Sequence, residues 1–237
     1  MEYDKLVIFG YPRSGTKLLA DAYAQNGYHN FGEFFNTYSA KLIHEKKPYA
    51  KRMSAEQQST IHNNRNINPV VDELKHTRDV TTRMELYKRY VGVSPSIVTT
   101  WPENFFMIPG FIHHLKNHFF LCPRRKNKFE QFLSRLITYY NYNYDAEKES
   151  EPINVEMSVV ESLYISFLRT EHIQNNIVTA GLGKFIDFDE LITGKADLGV
   201  PYIITSEDQH TDVTQYIQNL DEVKDQIRKL QSFMVIE

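Results

Sequence analysis

The densest chemistry in the chain lies in Gly10-Tyr11-Pro12-Arg13-Ser14-Gly15-Thr16-Lys17. Two glycines bound a short loop. The apolar run Leu6-Val7-Ile8-Phe9 ahead of it reads as a strand buried on both faces, and a helical pattern follows over 14–26. A strand, a glycine-bounded turn and a helix N-terminus together make an anion site. The first-turn N–H groups have no partner inside the helix, and the macrodipole places partial positive charge there. Arg13, Ser14, Thr16 and Lys17 add side-chain donors at the same point. The loop is expected to cradle phosphate; an ordinary strand–turn–helix corner is the plainer alternative. A Walker A loop puts Lys and then Ser or Thr after its second glycine, so that the Lys reaches the phosphates and the hydroxyl holds Mg²⁺. Here Thr16 comes before Lys17. The reversed order fits an anion cradle that works without a metal.

A second cluster of donors is Pro123-Arg124-Arg125-Lys126-Asn127-Lys128, directly after the apolar run Phe119-Phe120-Leu121-Cys122. The helix expected next has Phe129, Phe132, Leu133, Leu136, Ile137 and Tyr140 along one face. Ser134 falls about 130° off that seam at 100° per residue, on the polar side. Guanidinium groups suit phosphate because their fork allows paired hydrogen bonds. Arg124, Arg125 and Ser134 therefore form a candidate second anion site. Alone, this motif would read as a basic strand exit beside an ordinary helix Ser. A third candidate is Glu33, in Gly32-Glu33-Phe34-Phe35, just past a presumed strand end. Aromatic surroundings can raise a carboxyl pKa toward that of a useful base, whereas a solvated loop acid is the alternative.

Tyr11-Pro12-Arg13-Ser14-Gly15-Thr16 resembles the 5′-phosphosulfate-binding loop of sulfotransferases that use 3′-phosphoadenosine 5′-phosphosulfate, in the variant with Arg after the Pro. That variant is common in carbohydrate and bacterial trehalose-type members. The resemblance implies a P-loop-like α/β fold, that nucleotide as co-substrate and no metal. It implies that Arg13, Ser14, Gly15, Thr16 and Lys17 hold the 5′-phosphosulfate, with Arg13 also stabilising charge on the bridging oxygen. Arg124, Arg125 and Ser134 would hold the 3′-phosphate, and Glu33 would deprotonate the acceptor. The acceptor would be a hydroxyl, less readily an amine, of a carbohydrate or glycolipid. Two motifs in the family's order, about a hundred residues apart, carry the likeness over roughly half the chain. The C-terminal Arg-Lys-Gly loop of arylsulfotransferase-type enzymes has no counterpart. A P-loop small-molecule kinase using ATP and Mg²⁺, and a nucleotide-binding module without catalysis, are the other two readings.

The elements that must position these residues are legible in outline. A short strand or link is expected at 28–31, a second buried strand at 97–101 and a third at 119–122. Helices are expected near 155–174, facing inward through Val160, Leu163, Tyr164, Phe167 and Leu168, and at 212–230 as a C-terminal cap. Between them, 185–188 reads as a late strand and Asp189-Glu190-Leu191 as a helix start with acids in its first turn. In the resembled family this element is structural. Residues 37–90 read either as a substrate-covering helical insertion or as a surface helix pair. His44, His62, His76 and the pair His113-His114 lack metal-ligand spacing and read as surface residues.

Bulk properties narrow the class. At 237 residues the chain suits a single three-layer α/β domain, a central mainly parallel sheet flanked by helices. A net charge of −3 gives no electrostatic reason for a nucleic-acid or membrane partner. One cysteine, Cys122, excludes an intramolecular disulfide framework and suits a reducing compartment. No apolar run approaches the roughly 20 residues of a membrane span, and the first strand begins too early for a signal peptide. The expectation is a soluble cytoplasmic protein with a small-molecule or glycan acceptor.

Overall fold

The computed structural model describes residues 3–30, 95–100, 115–143, 152–203 and 213–234, with Thr82, Glu85, Lys88 and His113 as isolated positions. The elements are β1 (Lys5–Phe9), α1 (Thr16–Ala24), β2 (His29–Asn30), β3 (Ser96–Thr100), β4 (Phe119–Arg124), α2 (Lys128–Asn143), α3 (Met157–Thr179), β5 (Gly183–Asp187), α4 (Phe188–Ile192) and α5 (Leu220–Met234), with a 3₁₀ turn at Val213–Tyr216 before α5. The strands form one sheet in the order β2-β3-β1-β4-β5, and every neighbouring pair is parallel. The α/β architecture expected from the sequence is present, with an all-parallel sheet among the described strands.

β1 lies at the centre because both of its faces are apolar. Leu6 and Ile8 join Leu18, Leu19, Ile97, Leu121 and Ile186 in a core packed against α1. Val7 and Phe9 are equally buried and, alternating along the strand, face the side where α3 lies. A second core unites Phe132, Leu133 and Leu136 of α2 with Val160, Tyr164 and Phe167 of α3 and Val223 and Ile227 of α5. The 155–174 and 212–230 helices are thus present with shifted bounds, and α5 covers α3 as a cap. Burying one such side chain contributes about 1.5–3 kcal/mol, so these stripes commit each helix to its side of the sheet.

The order of strands in the sheet does not follow their order in the chain. The strands at 97–101 and 119–122 are parallel, but they are not neighbours, since β1 lies between them. The chain leaves β1 toward β2 and β3, then crosses over β1 to reach β4 and β5. Connections on the two sides of the β1–β4 pair therefore run in opposite directions. In open parallel sheets the crevice beyond such a switch point, at the carboxyl ends of the strands, is where ligands bind. Both donor clusters leave the sheet at that crevice.

Candidate anion-binding site

The β1–α1 loop is built from unusual backbone. Gly15, the residue before α1, is left-handed at φ 86°, and so is Arg13 at φ 70°. Glycine adopts this region without penalty, whereas an arginine there is held against a cost of about 1–2 kcal/mol. The loop is also tightly closed. A Cβ on Gly10 would lie 2.8 Å from Ser14 Oγ and 3.0 Å from Pro123 Cγ, so glycine lets the first loop approach the end of β4. Ser14 is fully buried, and its hydroxyl donates to the Tyr11 carbonyl at 2.7 Å. That bond staples the loop and leaves the Ser14 backbone N–H, rather than its hydroxyl hydrogen, for an anion. Tyr11 itself donates to the Leu163 carbonyl at 3.1 Å and meets Phe167 edge-on at 4.9 Å, tying the loop to α3. Gly15 offers no side-chain cap to α1, which keeps the first-turn N–H groups open to a ligand. Thr16 is buried, while Lys17 projects from the same turn into solvent.

The second cluster divides. Lys126 lies 3.5 Å from Asp187, and Lys128 pairs with Glu171. Asn127 and Glu130 cap α2 reciprocally: the Asn127 side chain accepts from the Glu130 N–H at 3.0 Å and donates to the Glu130 carboxylate at 3.1 Å. The two arginines lie on aromatic faces. Arg124 is exposed, with Cζ 4.0 Å from the centroid of Phe185, and the half-buried Arg125 lies at the same distance over Phe188. Arg125 also comes within 3.9 Å of Glu130. Cys122, fully buried within β4, is no nucleophile: burial pushes its thiol up to about 12.

One contact joins the clusters. Arg13 Nε donates to Ser134 Oγ at 3.1 Å, across 121 residues of sequence. Ser134 is only 8% exposed, so its off-seam position on α2 is explained by this partner and not by solvent. The structure thus brings Arg13, Gly15, Ser134 and Arg125 to the β1–β4 crevice. Glu33 and the segment 37–90, apart from Thr82, Glu85 and Lys88, lie outside the described residues.

No protein-family model matches the chain, and no curated protein matches it. Among solved structures, the shikimate kinase of Bacteroides thetaiotaomicron overlays with a TM-score of 0.41 at 11% identity, covering 98% of this chain and 99% of that one. At that level of likeness, the type of fold is carried by this chain's own β1–loop–α1 unit and its strand order. The fold is P-loop-like. Among the described residues, no helix is long and apolar enough to cross a membrane.

Two residues that hold this P-loop-like crevice together were not anticipated. Gln174 is buried on α3, and its Nε2 donates to the Phe9 carbonyl at 2.9 Å and the Pro123 carbonyl at 3.3 Å. It bridges the ends of β1 and β4 just where each strand becomes an anion loop. Its signal in the sequence is a polar residue on the stripe Phe167, Thr170, Gln174, Ile177, all buried at helical spacing. The other is Phe188. It opens α4 behind Asp187, whose side chain caps the helix by accepting from the N–H groups of Asp189 and Glu190. The sequence places it at the end of a strand, where nothing distinguishes it from a core aromatic.

Proposed function

We propose that this chain is a nucleotide-dependent transferase that moves a sulfonate group from 3′-phosphoadenosine 5′-phosphosulfate to an acceptor hydroxyl. The observation that carries the reading is the Arg13–Ser134 hydrogen bond, which unites two anion motifs distant in sequence at one crevice. A donor with phosphates at two positions requires two adjacent anion sites, and a simple phosphate loop would not.

In this reading the N–H groups of the loop and the Lys17 side chain hold the 5′-phosphosulfate. Arg125 and Ser134 hold the 3′-phosphate, with Arg124 at the rim. Arg13 stabilises charge on the bridging oxygen as the sulfur–oxygen bond breaks and the acceptor oxygen bonds to sulfur. Glu33 takes the acceptor proton. Such a transfer relies on positioning and fixed charge more than on covalent chemistry by the protein. The acceptor class is a carbohydrate or glycolipid, the reaction needs no metal, and the setting is cytoplasmic.

Phosphoryl transfer from ATP and Mg²⁺ is the second reading. The left-handed Gly15 ahead of an uncapped helix N-terminus favours it equally, since that cradle serves any 5′-phosphate chain. The deciding experiment is calorimetric titration with adenosine 3′,5′-bisphosphate beside ATP–Mg²⁺. Micromolar binding of the bisphosphate, lost on Ser134→Ala, is expected. Binding of ATP–Mg²⁺ alone, with an activity abolished by EDTA, overturns the sulfotransferase reading in favour of the kinase.

A further inference from the structure

The geometry points to Phe188 as the positioning residue that couples the two anion sites, a role that rests on the bisphosphate reading above. Phe188 is 2% exposed, and its ring has two different contacts. On one side lies Gly15. A Cβ built there would come within 2.6 Å of Phe188 Cδ2, so the ring sits flush against the left-handed turn of the phosphate loop. Against its face lies the Arg125 guanidinium, with Cζ 4.0 Å from the ring centroid. One rigid aromatic group therefore touches both the residue that shapes the 5′ cradle and the arginine assigned to the second phosphate.

The physics of that contact favours positioning over simple packing. A guanidinium is attracted to an aromatic face by the ring quadrupole, and stacking fixes its plane while leaving the N–H edge available for an anion. The Phe188 backbone is fixed in turn, since the preceding Asp187 caps α4 through Asp189 and Glu190 and pairs in register with Arg124 of β4. The ring thus sets the separation and the tilt of Arg125 relative to the loop. That separation determines which nucleotides fit both sites at once. Phe188 never touches the phosphates. It acts through Arg125.

The test is a double-mutant cycle of Phe188→Leu and Arg125→Ala, read by calorimetric binding of adenosine 3′,5′-bisphosphate and of adenosine 5′-monophosphate. Phe188→Leu is expected to weaken the bisphosphate by about fivefold or more, the scale of a lost cation–π contact, and the monophosphate by less than about twofold. Adding it to Arg125→Ala should cost nothing further. Equal loss for both nucleotides, or multiplicative losses in the double variant, would make Phe188 a packing residue and overturn the inference. Phe188→Met, which keeps apolar volume without a π-face, carries the same comparison if the leucine variant does not fold. A wild-type protein with no preference for the bisphosphate would overturn the functional reading itself. A wild-type preference that Phe188→Leu leaves intact overturns this inference alone.

Discussion

Arg13 and Ser134 meet through Nε and Oγ at 3.1 Å, and the backbone of Arg13 is left-handed where it does so. The loop thus holds its arginine in a costly conformation, and the bond to α2 aims the guanidinium into the β1–β4 crevice. Strain of this kind persists only where surrounding contacts over-determine it, and such sites cluster at function.

Arg13→Gly separates the two roles of that residue. Relief of the left-handed backbone offsets loss of the bond to the buried Ser134 hydroxyl, so stability should stay within about 1 kcal/mol of wild type, measured by urea unfolding. Under the sulfotransferase reading, turnover should fall by about tenfold or more, the scale of losing one donor to a developing charge. Wild-type turnover in this variant would remove Arg13 from the mechanism.

Gln174→Leu removes the donor shared by the Phe9 and Pro123 carbonyls. The expected loss of stability is about 1–3 kcal/mol in denaturant titration. Nucleotide affinity should fall as well, because the ends of β1 and β4 are no longer held together. Unchanged affinity at reduced stability would confine Gln174 to the core.

His118, 8% exposed at the entry to β4, should make stability depend on acid. Burial, and then the charge of Lys5, lowers its pKa to about 4, partly offset by a hydrogen bond to the Leu115 backbone. The unfolded chain therefore binds this proton more readily, with a pKa near 6.5. The contribution is fully present above about pH 6.5 and is lost as pH falls toward 4, to a total of about 3 kcal/mol. His118→Gln should flatten unfolding free energy measured across that window. A slope unchanged by the substitution would assign it to other groups.

Cys122, fully buried with its thiol pushed up to about 12, should resist alkylation at pH 8. Iodoacetamide labelling followed by mass spectrometry should show modification only at denaturant concentrations that unfold the chain. Rapid labelling of the native protein would mean that β4 opens locally.

Much of the frame was readable because local patterns carry it. Leu6-Val7-Ile8-Phe9 is too apolar to lie anywhere but the middle of a covered sheet, and it is β1 at the centre. The seam Phe132, Leu133, Leu136, Tyr140 specifies α2 in the same way. Gly27, left-handed at φ 83°, closes α1, with its N–H reaching the Ala24 carbonyl and the Tyr28 N–H reaching that of Tyr23. The bounds of the last helix were less legible. A charged amphipathic pattern continues through the 3₁₀ turn at Val213–Tyr216, so the α-helix starts only at Leu220.

The site divides along the same line. Residue order alone determined that two donor-rich loops follow two buried strands, because donor type, glycine spacing and apolar runs are local properties. Which donors remain available for an anion was decided in three dimensions. Lys126 and Lys128 turn to acids contributed by β5 and α3, and Ser14 turns inward to its own loop. Ser134, polar and off the helix seam, is buried where a left-handed Arg13 reaches it from the β1–α1 loop. Gln174 and Phe188 gain their meaning only from the pairing of β1 with β4 and of β4 with β5, which brings together carbonyls, a glycine and an arginine from distant parts of the chain. Pairing across such separations depends on strand order, and no local pattern encodes it.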